Sequence, residues 1–184
     1  MKTPIFIHKE KISEEAVKEV IKFFKKNKKY RVPGKIGNSI INNNVKKSTD
    51  VTILPGDYEI NIPKYMKDLK RVVQNYHFKY PETFELNLAI TEGINIQLYQ
   101  KSEGFFKPHC EKASLRTSSR VLVFMTYLTD NINGGTYFKY QNYTCPAVKG
   151  ETIIWPADWT FIHNGIVDFN QQKMIITGWI NLVN

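Results

Sequence analysis

The feature that most constrains the fold is a series of short runs, rich in β-branched and aromatic residues, that fills the second half of the chain. Turn residues separate the runs, and no helical pattern lies between them. The runs cover Phe84 to Ile90, Ile94 to Tyr99, Arg120 to Leu128, Thr136 to Tyr140, Thr152 to Trp155, Thr160 to His163 and Lys173 to Leu182. Strands that follow one another without intervening helices predict a β-sandwich or barrel of the jelly-roll kind.

The front of the chain carries two helical patterns. Ser13 is a suitable N-cap for a helix whose apolar residues recur at helical spacing as far as Phe24. A second helix is expected from Pro63, which suits a first helical turn, to about Phe78. The 184 residues have the length of one domain. We therefore expect a single mainly β domain, with helical support over residues 1–83 and a jelly-roll core over residues 84–184.

Residues 31 to 57, between the two helices, are rich in Gly, Asn and Pro. This composition predicts a long loop with one short strand near Asp50 to Leu54. Loops of this length in small domains are often functional. Two interpretations stay open: a lid over a substrate groove, or a surface loop with no role in binding.

Charge and composition narrow the classes of partner. The chain has 26 Lys and Arg against 17 Asp and Glu, a net charge of +9 that attracts anions in general. The lysines are spread along the chain, and no basic segment interleaved with aromatics is typical of a nucleic-acid reader. Nucleic acid is therefore not the expected partner. Oligomeric state has no signal in the sequence.

Location follows from what the sequence lacks. No apolar run approaches the roughly eighteen residues that a membrane span needs, and the apolar stretch near the start is too short for a signal peptide. Two cysteines, Cys110 and Cys145, fit a reducing compartment better than a disulfide framework. We expect an intracellular, cytoplasmic protein with no membrane contact.

A metal-ligand pattern lies among the predicted strands. If the chain is extended at His109, Cys110 and Glu111, alternate side chains share one side, so His109 and Glu111 can bind one ion while Cys110 faces away. His163 supplies a second imidazole. Two imidazoles and one carboxylate leave open positions on an octahedral metal, the facial arrangement of non-haem Fe(II) oxygenases. Such spacing is a weak signal by itself.

A buried cation is predicted ten residues after His163. Lys173 begins an apolar run, where an unpaired ammonium would be costly, so it requires an anion.

The wider context of these residues resembles the prolyl 4-hydroxylase-like 2-oxoglutarate oxygenases of the compact bacterial or phage type. Tyr99, Gly104 and Phe106 precede His109 in the family's order. The similarity covers about residues 85 to 182 and continues through Arg120 to Leu128, Gly134 to Phe138, Gly150 to Pro156, His163 to Val167, Lys173 and Trp179. It implies a double-stranded β-helix. The family's usual carboxylate ligand is Asp, however, and this chain has Glu111.

The resemblance also implies roles for individual residues. His109, Glu111 and His163 would bind Fe(II), with no catalytic residue beyond these ligands. Lys173 would hold the distal carboxylate of the co-substrate 2-oxoglutarate. Further co-substrate contacts are expected from Tyr99, Tyr127 and Thr177, and substrate contacts from Arg120, Trp179 and Phe106.

The implied reaction is oxygenation of a C–H bond while 2-oxoglutarate is decarboxylated to succinate. Ascorbate is a candidate reductant. Three interpretations remain open: a peptidyl-proline hydroxylase acting on a proline-containing protein, a related oxygenase of nucleic acid or a free amino acid, and a jelly-roll binding module without activity. The stretch after His163 lacks the arginine-rich block usual in repair demethylases, and Glu111 is the reason to consider the third.

Overall fold

A computed structural model describes residues 2–37 and 39–184, so Met1 and Asn38 lie outside the description. The helices are α1 (Glu14–Lys26), α2 (Tyr58–Asn61) and α3 (Pro63–Lys79). The strands are β1 (His8–Lys11), β2 (Val32–Pro33), β3 (Thr49–Ile53), β4 (Leu88–Ala89), β5 (Ile94–Tyr99), β6 (Arg120–Tyr127), β7 (Asn131–Phe138), β8 (Tyr143–Ala147), β9 (Glu151–Pro156), β10 (His163–Ile166) and β11 (Lys173–Leu182). None of the described helices is long and apolar enough to cross a bilayer.

Two antiparallel sheets form the body of the protein. The larger runs in the order β1-β9-β6-β11-β5-β3-β2, with β4 paired to β11, and the smaller in the order β10-β7-β8. Apart from β2–β3 and β7–β8, neighbouring strands in these sheets are not consecutive in the chain, as in a jelly roll. The predicted fold class, mainly β with N-terminal helices and a jelly-roll core, is confirmed.

Strand alternation divides the apolar residues between two cores. On β6, Leu122 and Phe124 face the helices, while Val123, Met125 and Tyr127 face the smaller sheet. This follows from the two-residue period of a strand, which sends successive side chains to opposite faces. The larger sheet is therefore buried on both faces over its central strands.

The helices cover the outer face of the larger sheet. The Ser13 side chain caps α1, accepting a 3.3 Å hydrogen bond from the Ala16 amide, as its sequence position predicted. Pro63 stands at the start of α3. Both helices bury their apolar stripe in the outer core, where Val20 and Leu69 are almost fully buried. The helical layer thus supports the sheet whose other face carries the site.

Several strands differ from the sequence prediction. The run at residues 84–90 is a 3-10 helix over Pro81–Glu85 followed by the short strand β4. Residues 159–161 also form a 3-10 turn, because the Asp158 side chain accepts a 2.8 Å hydrogen bond from the Thr160 amide. β10 consequently begins at His163, where the prediction had a strand end.

Candidate metal centre

A cavity of about 650 Å³ opens between the two sheets. This volume is typical of a small-ligand site. Its wall takes side chains from the inner face of the larger sheet, including Ile175 on β11, and from the smaller sheet, including Thr136 on β7. Further parts of the wall come from residues 32, 33, 35–37, 39 and 40, and from the segment between Phe105 and Thr117.

His109, Glu111 and His163 meet inside this cavity. Their ligand atoms all lie within 4.8 Å of one another. Glu111 Oε1 is 3.3 Å from His109 Nε2 and 3.6 Å from His163 Nε2. The two histidines form an antiparallel bridge, each amide donating to the other's carbonyl at 2.9 Å. The backbone therefore fixes the approach of both imidazoles, and the longer Glu side chain reaches them.

The outer nitrogen of each imidazole is already bound. His109 Nδ1 lies 3.0 Å from the Lys107 carbonyl oxygen, and His163 Nδ1 lies 2.9 Å from that of Phe161. A carbonyl can only accept, so each Nδ1 carries the proton and donates. Each Nε2 is therefore unprotonated, and its lone pair faces the side on which Glu111 lies. This is the usual outer support of a metal-binding histidine.

Aromatic rings enclose the two imidazoles. Phe105 stacks on His109 with ring centroids 3.7 Å apart, and Trp155 meets His163 edge-on at 5.1 Å. Burial lowers the pKa of His163, and the neighbouring imidazole of His109 lowers it further. Its ring is therefore neutral at physiological pH, the form that can bind a metal.

Glu111 is held from its other side. Trp179 Nε1 donates a 3.0 Å hydrogen bond to Oε2, and Arg120 NH1 donates to the Glu111 backbone carbonyl at 3.0 Å. Burial opposes ionisation of this carboxyl, yet its interactions with the neighbouring imidazoles of His109 and His163 outweigh burial and hold the pKa of Glu111 well below its usual range. The carboxylate is thus charged and oriented with Oε1 toward the imidazoles.

Lys173 places a cation at the inner end of the cavity. Its ammonium donates to the backbone carbonyls of Ile166 at 3.0 Å and Gly135 at 3.3 Å. In the described part of the chain no carboxylate comes within ion-pair distance of it. Burial lowers the pKa of Lys173 to about 8, and the negative charge of Asp168 opposes part of this decrease. A buried ammonium with only neutral partners is suited to binding an anion.

The other residues expected to contact a co-substrate also line the cavity. Tyr99 lies beside Lys173, whose ammonium is 5.5 Å from its ring centre. Tyr127 contacts Thr136 at 2.8 Å, and the Thr177 hydroxyl donates to the Phe124 carbonyl at 2.9 Å. Burial raises the pKa of both tyrosines well above its ordinary value, so their phenols stay protonated. Their roles remain predictions.

The three predicted substrate contacts are placed differently. Arg120 and Trp179 both line the cavity, and the guanidinium stacks 3.5 Å above the indole. Glu92 fixes Arg120 from behind, accepting from Nε at 2.7 Å. Phe106 is not part of the described cavity wall, whereas its neighbour Phe105 is. The chain between Gly104 and His109 is irregular. The number of residues before His109 therefore does not predict whether Phe105 or Phe106 faces the cavity.

Further polar residues of the cavity were not predicted from the sequence. Asn95 and Gln97 on β5 line it, together with Lys46 and Asp50 from the segment before β5. A signal for the first two existed. Tyr99 was expected to face the site, and in a strand the residues two and four positions earlier share its face.

Comparisons with known proteins identify the fold. No protein-family model matches the chain, and no curated protein matches its sequence. A viral collagen prolyl hydroxylase from Paramecium bursaria Chlorella virus 1, solved as its 2OG complex, gives a TM-score of 0.69 at 17% identity, with 97% of each chain covered. A Pseudomonas putida prolyl-4-hydroxylase gives 0.72 at 10% identity, covering 96% of this chain and 92% of its own.

A third solved structure is a Trichoplax adhaerens prolyl hydroxylase in complex with a peptide fragment of the hypoxia-inducible factor oxygen degradation domain. It gives a TM-score of 0.72 at 11% identity, covering 96% of this chain and 83% of its own. The predicted resemblance is thus confirmed at the level of structure, and the fold is that of the prolyl hydroxylases. Identities this low establish the fold alone.

Proposed function

We propose that this protein is an Fe(II)- and 2-oxoglutarate-dependent dioxygenase that hydroxylates proline within a polypeptide. The observation that carries the proposal is one cavity with a two-histidine, one-carboxylate cluster and a buried lysine whose polar partners are neutral. A metal and a dicarboxylate together would satisfy both features. The prolyl hydroxylase fold supports the same interpretation.

The donor set suits Fe(II). Two neutral imidazoles and one carboxylate are a combination of nitrogen and oxygen ligands that non-haem iron accepts, and three protein ligands leave positions for other molecules. His109, Glu111 and His163 would hold the ion through Nε2, Oε1 and Nε2. When bound, Fe(II) with 2-oxoglutarate supplies the oxidising chemistry: one oxygen atom of O₂ enters the substrate C–H bond and the other enters succinate, with release of carbon dioxide.

The remaining residues would bind, orient and exclude water. Lys173 would hold the distal carboxylate of 2-oxoglutarate, and Tyr99, Tyr127 and Thr177 would surround that co-substrate. Phe105 and Trp155 keep water from the imidazoles, which protects the reaction from side products. Ascorbate as reductant and a cytoplasmic location stay predictions.

A polypeptide substrate is proposed from the mouth of the cavity. Arg120 and Trp179 form a flat, cation-backed platform on the cavity wall, and residues 32, 33, 35–37, 39 and 40 line the same cavity. An aromatic platform suits a proline ring, and a polyproline-like chain loses little entropy on docking. One of the structurally similar hydroxylases was solved with a peptide bound.

Succinate release tests the proposal against its rivals. Purified protein with Fe(II) and 2-oxoglutarate would be given a proline-rich peptide, a free amino acid or an oligonucleotide. We expect stimulation of succinate release by the peptide alone, and none in His163→Ala. Stimulation only by the oligonucleotide or amino acid would favour the related oxygenase, and no metal uptake would favour the silent binding module.

A further inference from the structure

One wall of the cavity carries a group of polar side chains whose unused atoms are all hydrogen-bond donors. We call Lys46, Asn95 and Gln97 the donor wall. The carboxylate of Asp50 lies beside Lys46. It is already engaged: Oδ2 accepts from the Lys46 ammonium at 2.7 Å and Oδ1 from the Ser48 hydroxyl at 2.7 Å. Each oxygen of Asp50 therefore has a partner.

The amide groups of the donor wall are oriented by their neighbours. Tyr99 donates its phenol hydrogen to Gln97 Oε1 at 2.6 Å, and Thr52 donates its hydroxyl hydrogen to Asn95 Oδ1 at 2.7 Å. Each carbonyl oxygen is thus an acceptor already in use. The NH₂ groups of both amides have no acceptor within the described part of the chain, and both residues line the cavity.

The donor wall lies beyond the co-substrate end of the cavity. Tyr99 pairs with Lys173 across the β5–β11 ladder, Gln97 with Ile175, and Asn95 with Thr177. Moving from Tyr99 to Asn95 therefore leads away from the lysine and along β11 toward Trp179, whose indole contacts Glu111. Each two-residue step is about 6.6 Å along a strand. Gln97 and Asn95 therefore line the part of the cavity wall that lies away from Lys173.

The charges on the donor wall determine which kind of acceptor it can bind. Lys46 and Asp50 neutralise each other at 2.7 Å, and both side chains are almost fully buried. The wall thus offers neutral amide donors beside a compensated ion pair. A neutral carbonyl oxygen is a better partner for it than a phosphate, which would meet the Asp50 carboxylate nearby.

We propose that the donor wall binds backbone carbonyl oxygens of the polypeptide next to the reactive proline, and that it makes the site selective for proline-rich segments. The inference rests on the proposed function. Proline has a carbonyl but no N–H, so a proline-rich chain presents acceptors almost alone. A wall of donors satisfies such a chain. A nucleobase or a mixed peptide would bring N–H groups that must share oxygens already accepting a hydrogen bond, which is less favourable.

The test is equilibrium binding of acetylated decaproline in the presence of Mn(II) and 2-oxoglutarate. Gln97→Glu and Asn95→Asp keep the oxygens used by Tyr99 and Thr52 but replace each NH₂ with an acceptor. We expect about tenfold weaker peptide binding in each, and roughly threefold weaker binding in the uncharged Gln97→Met. Gln100→Glu, the same change on an exposed residue outside the cavity, is the matched control and should bind like the wild type.

Affinity for 2-oxoglutarate without peptide is the second readout. It should stay near the wild-type value in Asn95→Asp, because that residue lies on the substrate side. Unchanged decaproline binding in both Gln97→Glu and Asn95→Asp would overturn the inference and leave the proposed function standing. Equal losses of peptide and 2-oxoglutarate binding in both variants would also overturn it. A wild type that binds no decaproline would overturn the inference together with the proposed peptide substrate.

Discussion

Affinity for 2-oxoglutarate should fall as pH rises through about 8, because the Lys173 ammonium then loses its proton. Burial lowers the pKa of this lysine to about 8 in the ligand-free protein. A bound carboxylate favours the charged form, so only protonated protein binds well. At pH 7 nearly all the lysine is charged, whereas at pH 9 about one molecule in eleven is, which predicts roughly tenfold weaker binding at pH 9 than at pH 7.

Two substitutions test whether titration of Lys173 causes the pH dependence of 2-oxoglutarate binding. Lys173→Arg keeps a charge that does not titrate in this range, so its affinity should be independent of pH between 7 and 9. Lys173→Met removes the charge, and we expect roughly ten- to a hundredfold weaker binding with no pH slope. The assay is calorimetric titration of 2-oxoglutarate with Mn(II) present. A wild-type slope that persists in Lys173→Met would refute the assignment of this lysine as the anchor.

Other predictions concern the metal ligands and the mouth of the cavity. His163→Ala should not retain Mn(II) in equilibrium dialysis. In the wild type, acid should release the metal when the imidazoles become protonated. For His163 this requires a pH below about 6.5, because burial lowers its pKa. Glu111→Asp should retain the metal by dialysis and Glu111→Ala should lose it. Trp179→Phe removes the donor to Glu111 Oε2, and its metal affinity should fall about tenfold. Shortening the segment between Lys35 and Ile41 should lower peptide turnover measured as succinate, with 2-oxoglutarate affinity unchanged.

The sequence predicted the strands with strong local patterns and missed those without them. β5 and β11 begin and end at the predicted residues because both are rich in β-branched and aromatic residues and both are bounded by turn residues. β1 reads HKEK and has no apolar pattern, since it is an edge strand held by pairing to β9. β8 contains Pro146, which argues against a strand, yet it lies at the edge of the smaller sheet where a missing N–H is tolerated.

Some residues of the site were also predicted from the sequence, and others were missed. His109, Glu111, His163 and Lys173 were proposed from their order in the chain, and the fold brings the first three together. The donor wall was not predicted, although Asn95 and Gln97 alternate with Tyr99 along β5, because a polar residue in a strand does not by itself indicate a binding site. Only their tertiary contacts show which atoms are already used. The metal-ligand candidates stand in an order of motifs that resembles a known family, whereas a cavity wall is assembled from several strands and has no such order.

The most direct test of the proposed function is the position of the added oxygen. Wild-type protein with Fe(II), 2-oxoglutarate and air would be incubated with a proline-rich peptide and the product sequenced by tandem mass spectrometry. The account predicts one added oxygen atom on a proline residue, formed in step with succinate and absent in His163→Ala. Oxygen added only to other residues, or succinate formed without any change to the peptide, would contradict it.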